Sequence, residues 1–313
     1  MAYPPVPAIE VHAVTRSFGT EFALRGLNLT VPYGEVTALV GPNGAGKTTL
    51  LLILATLMAP DRGHVRVAGY DPVTQPELVR GSLGWMPDTF GVYDQLTVDE
   101  YLGFFADAYR LPAAEKAARV RALLALVHLD EYLGRPVHVL SRGQKQRLGV
   151  ARSLVHSPRV LLLDEPASGL DPRSRVELRD LLRSLAAQGV AVLVSSHILS
   201  ELEEIADRVV LVDHGLTVGE HRMADLMGGS AMGSRWRIRT LGPPDDLKTF
   251  LDTRPGAGTV TALPGGVEAG PLTDTEAADL LGDLVTGGFK IVGFGPSESA
   301  LESAYMAMTE NRR

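Results

Sequence analysis

Gly41-Pro42-Asn43-Gly44-Ala45-Gly46-Lys47-Thr48-Thr49 stands between an apolar run, Val36 to Val40, and a helical run, Leu50 to Met58. That order predicts strand, glycine-rich loop and helix, the setting in which G-x-x-x-x-G-K-T cradles a polyphosphate. Gly41, Gly44 and Gly46 let the backbone wrap closely enough for successive N–H groups to face phosphate oxygens. Lys47 is placed for the β/γ-phosphates, the Thr48 hydroxyl for Mg²⁺, and the helix aims its positive end at the anion. Asn43 and Thr49 complete the candidate contacts. A glycine-rich turn that merely precedes a helix is the alternative. Agreement at the defined positions in this setting favours a nucleoside triphosphate ligand.

The 313 residues suffice for one large or two modest domains. With no cysteine, disulfides, thiolate zinc sites and cysteine nucleophiles are excluded. A net charge of −7 argues against a nucleic-acid partner, which usually requires a basic face. The N-terminal Met1-Ala2-Tyr3-Pro4-Pro5 lacks the basic start and apolar core of a secretory signal. The longest apolar run, Leu50 to Ala59, falls short of the roughly 20 residues that span a bilayer. A cytoplasmic chain is expected, with any membrane role supplied by a separate partner.

Outward from the loop, Ile9 to Val14 and Ala23 to Val31 alternate apolar and polar residues, which predicts antiparallel strands beside the nucleotide core. From Leu96 the period becomes helical. Thr97 and Glu100 form a capping box, Tyr101, Phe105 and Ala108 share a face, and a second helix covers about 113–127. Residues 89–157 read as a helical insertion. Val160 to Leu163, Val190 to Val194 and Val209 to Val212 are continuous apolar runs, as buried parallel strands require. Strands alternating with helices predict an α/β fold with a mainly parallel sheet, its ligand at the strands' C-terminal ends.

Residues 1–226 are therefore expected as one nucleotide-binding domain. By composition 227–234 are a flexible linker. Residues 235–313 follow as a small α+β accessory domain ordered β-α-β-β-α-β, matching a ferredoxin-like sandwich or, if the Gly- and Pro-rich stretch 253–271 is irregular, a looser one. Its last helix is expected from Glu298 to Met308.

Asp164 and Glu165 end the Val160–Leu163 strand. Asp164 is suited to hold Mg²⁺ through water, and Glu165 to polarise the attacking water as general base. Two surface acids capping a strand are the alternative. Leu140-Ser141-Arg142-Gly143-Gln144 places Ser141 as a helix N-cap with Gln144 at the capping-box position. Beyond that structural role, the Ser141 hydroxyl and the Gly143 N–H would make a second phosphate site.

With that run the chain resembles the ABC ATPase family, whose signature is Leu-Ser-Gly-Gly-Gln ahead of Walker B. The resemblance covers residues 8 to about 220. It implies the P-loop NTPase, RecA-like fold with an antiparallel β-subdomain and a helical subdomain. It also implies Ser168-Gly169-Leu170-Asp171 as the D-loop, His197 as the switch histidine at the γ-phosphate, and Phe18 as the aromatic that stacks on adenine. The alternatives are an ordinary capping His and a core Phe at a strand end. Two positions depart from the pattern: Arg142 replaces the signature's first glycine, and Asp88 stands where glutamine is usual. Asp88 is expected beside Mg²⁺ and the attacking water, or else as a cap of the helical region.

The resemblance further implies two chains paired head to tail around two ATP molecules, each supplying the signature to the other's site. Thr37 to Gly41, Met86-Pro87-Asp88, Leu96-Thr97-Val98 and the tail Ser299 to Thr309 resemble ATPase subunits of ABC-2-type exporters, which serve a separate membrane permease. That implies an ATPase on the inner face of the membrane exporting hydrophobic small molecules. A soluble ABC ATPase acting on ribosomes or DNA is the alternative; one cassette, no cysteines and an acidic balance weigh against it.

Overall fold

A strand whose every side chain is buried must lie inside a sheet covered on both faces. In the computed structural model β3 (Val36–Val40), β6 (Val160–Asp164) and β7 (Ala191–Ser196) are buried at each residue. They are joined by β5 (Leu83–Met86), β8 (Arg208–Asp213) and β9 (Leu216–Arg222) in the order β5-β6-β7-β3-β8-β9. The registered pairs among β5, β6, β7, β3 and β8 are parallel, so their C-terminal ends share one edge. The structure describes residues 6–89, 91–198, 202–228 and 234–297.

The alternating N-terminal segments form β1 (Ile9–Phe18) and β2 (Glu21–Val31), antiparallel, with β4 (Arg62–Val67) on the other side of β1. Leu27, Leu29 and Val31 point inward as the alternation requires. They share one core with Leu50, Leu51, Ile53 and Leu54 of α1 (Lys47–Leu54) and with Leu162 and Leu193 of the parallel sheet. The helix that leaves the glycine loop is thus anchored on two sheets.

Helix α2 (Pro76–Ser82) precedes the expected insertion, which contains α3 (Val98–Ala108), α4 (Ala113–Leu126) and α5 (Arg142–Ser153). Thr97 caps α3 in a reciprocal box with Glu100. The buried stripe of α3 is Val98, Tyr101, Leu102 and Ala106; Phe105 is half-buried, and Ala108, expected on that face, is exposed in the last turn. In α6 (Pro172–Ala187) the leucine stripe 178, 181, 182 and 185 is buried as expected.

The chain divides after His221 into two units. The second contains α7 (Met223–Gly228), β10 (Ser234–Thr240), α8 (Pro244–Asp252), β11 (Thr261–Leu263), β12 (Gly266–Leu272), α9 (Asp274–Thr286) and β13 (Ile291–Pro296). Its sheet order is β11-β12-β10-β13, antiparallel at each neighbouring pair, the arrangement of a ferredoxin-like sandwich. The stretch 253–271 yields two strands rather than an irregular loop. The expected linker is corrected at both ends, since 227 and 228 close α7 and 234 opens β10. Residues 229–233, and the expected helix and tail from Glu298 onward, lie outside the described residues.

Candidate nucleotide site

The loop between β3 and α1 follows the strand in the middle of the parallel sheet. Gly44 and Gly46 hold φ of 83° and 103°, left-handed values that disfavour a side chain. A Cβ on Gly46 would lie 2.5 Å from the Ala23 carbonyl oxygen, and one on Gly41 would collide with that of Val212. These two glycines are needed for close backbone approach. Lys47 Nζ turns back into the loop and donates to the Gly41 carbonyl at 2.6 Å and the Pro42 carbonyl at 3.3 Å. Burial lowers the Lys47 pKa, while the nearby Glu165 and Asp164 carboxylates raise it. Asn43, Gly44 and Thr48 are exposed at the loop's open side, and Thr49 is half-buried.

Beneath the loop runs a chain of side-chain contacts. Thr48 Oγ1 donates to Asp164 Oδ2 at 3.2 Å, and Ser195 Oγ donates to Asp164 Oδ1. The Glu165 N–H donates to Ser195 Oγ at 3.2 Å and to its carbonyl oxygen at 3.1 Å. Glu165 Oε1 meets His197 Nδ1 at 3.0 Å. Asp164 is buried and Glu165 has a positive φ of 49°, so two consecutive carboxylates leave β6 in different directions. The parallel register sets Asp164 opposite Ser195 on β7. Ser195 has no counterpart in the sequence reading: within an apolar strand run, one serine carries no motif.

The Ser141 hydroxyl accepts from the Gln144 N–H, and Gln144 Oε1 accepts from the Ser141 N–H, which fixes the start of α5. Gln144 Nε2 donates to the Tyr132 hydroxyl at 2.7 Å. Gly143 is buried against Ser174 of α6, and Arg147 pairs with Glu177 at 3.0 Å. Asp171 caps α6 through both the hydroxyl and the N–H of Ser174, which hold its carboxyl below the usual range. Gly169 has φ of 69°, and its missing Cβ leaves room for the Arg142 guanidinium, whose Cζ would be only 2.5 Å away. Among the described residues, the hydrogen bonds of the Ser141 side chain and N–H stay within its own helix start, with Gln144.

Phe18 is 50 % exposed at the end of β1 with Arg16 over its ring at 5.1 Å. It is not a core residue. Asp88 is exposed two residues beyond Met86, which pairs with Leu163 of β6, so it lies at the same sheet edge as Asp164. The cap of α3 is Thr97, not Asp88. The oxygens of Thr48 and Asp164, 3.2 Å apart, fit the oxygen-only coordination of Mg²⁺.

The family model for ABC transporters matches residues 24–168. The daunorubicin/doxorubicin resistance ATP-binding protein DrrA of Streptomyces peucetius is 31% identical, over 97% of this chain and 93% of that protein. The probable multidrug ABC transporter ATP-binding protein YbhF of Escherichia coli K12 is 43% identical over 62% of this chain, which spans only 33% of the length of that relative. Among solved structures, the dimeric post-hydrolysis ATP-binding cassette MJ0796, bound to ADP and Pi, superposes with a TM-score of 0.62 at 26% identity, covering 69% of this chain and 98% of the other.

Proposed function

The chain belongs to the ABC transporter family of ATP-binding cassettes, and from that premise we propose that it is the ATP-hydrolysing subunit of a membrane exporter of hydrophobic small molecules. The observation that carries the proposal is the unbroken run Thr48–Asp164–Ser195–Glu165–His197 beneath the glycine loop. The loop N–H groups and Lys47 bind the β/γ-phosphates of ATP, and Lys47 exchanges the Gly41 and Pro42 carbonyls for phosphate oxygens. Phe18 stacks on the base. Thr48, Asp164 and Asp88 are the residues that would hold Mg²⁺, which when bound would supply neutralisation of phosphate charge. Glu165 accepts the proton of the attacking water, while His197 orients the Glu165 carboxylate and contacts the γ-phosphate.

Ser141 and Gly143 lie on a different surface from this chain's own phosphates in the proposal, so they serve the site of a second, head-to-tail copy. Among the described residues no helix is long and apolar enough to cross a membrane. The membrane path is assigned to a separate permease docking near residues 89–110, where Tyr93, Phe104 and Tyr109 are exposed. The names of DrrA and YbhF, resistance to daunorubicin and doxorubicin and multidrug transport, support export of hydrophobic drugs from the inner face of the membrane. Glu165→Gln keeps the shape and removes the base. Nucleotide binding is expected to survive, hydrolysis to fall roughly 10²–10⁴-fold, and ATP-bound pairs to accumulate on size exclusion. Normal turnover in that variant would remove Glu165 from the mechanism.

A further inference from the structure

In the second unit the sheet carries both helices on one face: Ile238 of β10 packs with Leu247 and Leu251 of α8 and with Leu280 and Leu284 of α9. Alternation then turns Arg235, Arg237 and Arg239 to the opposite, exposed face. Among the described residues the helices carry most of this unit's carboxylates, two of them paired there with Lys248 and Arg254. Asp245, Asp246 and Asp252 belong to α8, and Asp274, Glu276, Asp279 and Asp283 to α9. The carboxylate near the arginine row is Glu268 of β12, opposite Arg237 and ion-paired to Arg235 at 3.0 Å. Among the described residues, Arg237 and Arg239 have no ion pair.

These two guanidiniums line an open cleft of about 500 Å³ between the turn at Pro264 and the end of β13 at Pro296. Each arginine faces a glycine on β13, Arg237 opposite Gly295 and Arg239 opposite Gly293. A Cβ on Gly293 would lie 2.8 Å from Arg239 Nε, so a side chain there would displace the guanidinium. One on Gly295 would meet nothing within 4 Å and would project into open space. Two forked cations on one face of a strand, each opposite a glycine of its neighbour, suit a multiply charged oxyanion gripped by both.

We propose that this cleft binds a phosphate group, carried by a small soluble phosphate or by an anionic lipid headgroup, through Arg237 and Arg239. The site is separate in sequence and chemistry from the nucleotide loop and makes the accessory unit a ligand-binding one.

The test follows the arginine Nε–H resonances of the full chain by NMR, assigned by their loss in Arg237→Gln and Arg239→Gln. This local readout is insensitive to phosphate at the glycine loop. Inorganic phosphate is expected to shift both resonances saturably. In Arg239→Gln the Arg237 resonance is expected to require about tenfold more phosphate, for one charged hydrogen-bonding partner lost. A second arm compares co-sedimentation with vesicles of phosphatidylcholine, with and without phosphatidic acid, for the wild type and Arg237→Gln/Arg239→Gln. Phosphate-dependent shifts place the source in solution. Sedimentation only with phosphatidic acid, lost in the double variant, places it in the headgroup. No shift with phosphate and no variant-dependent sedimentation would overturn the proposal.

Discussion

Replacing Ser195 with alanine tests the frame that holds the two carboxylates. Ser195 is fully buried, and its hydroxyl donates to Asp164 Oδ1 while accepting from the Glu165 N–H. In Ser195→Ala that N–H keeps the residue-195 carbonyl at 3.1 Å, so its loss is small. Asp164 Oδ1 loses its hydroxyl donor in a buried position, and a hydrogen bond to a charged group contributes about 1.5–3 kcal/mol. The large unit is therefore expected to lose about 1.5–3 kcal/mol of stability, roughly a 10- to 150-fold change in its unfolding equilibrium. The chain offers a clean assay because its two tryptophans lie in different units, Trp85 in β5 and Trp236 in β10. With Trp236→Phe as background, Trp85 fluorescence in a urea titration reports the large unit alone. A midpoint unchanged to within about 0.5 kcal/mol, the scale of a neutral surface substitution, would refute the argument that Ser195 carries the Asp164 carboxylate.

Three further outcomes are expected. Ser141→Ala removes one half of the α5 capping box and costs about 1 kcal/mol of stability, leaves nucleotide affinity of the single chain nearly intact, and abolishes ATP-driven pairing by size exclusion. His156, stacked on Tyr109 at 3.7 Å with Nδ1 buried and unpartnered, has its pKa lowered by burial to about 4. Its neutral form belongs to the fold, so stability is full above pH 6.5 and falls on acidification toward pH 4, by on the order of 3 kcal/mol. His156→Phe keeps the stack and is expected to flatten that part of the urea-midpoint profile between pH 7 and 4.

Much of this was legible because short motifs carry backbone requirements. The glycines of the 41–46 loop, the capping pairs Thr97/Glu100 and Ser141/Gln144, and the uniformly apolar run 160–163 each permit few conformations. Helix α2 was missed because only Val79 of its seven residues is buried, which leaves no periodic stripe. Ser195 was missed because its meaning depends on β6 and β7 lying in register, a contact across 31 positions of sequence. The expected order of the accessory domain already opened it with a strand at 235; the glycines facing Arg237 and Arg239 come from β13, more than 50 residues later.

The placement of Arg142 over Gly169 has a consequence for how this sequence can drift. Position 169 sits at φ of 69°, where asparagine is the usual tolerated replacement for glycine, yet a Cβ there would strike the guanidinium. Gly169→Asn therefore requires the Arg142 guanidinium, the far end of an exposed and flexible side chain, to swing aside, and Arg142→Gly removes even that adjustment. The two positions are thus coupled through one movable group: the residue at 142 sets how much must rearrange when 169 gains a Cβ.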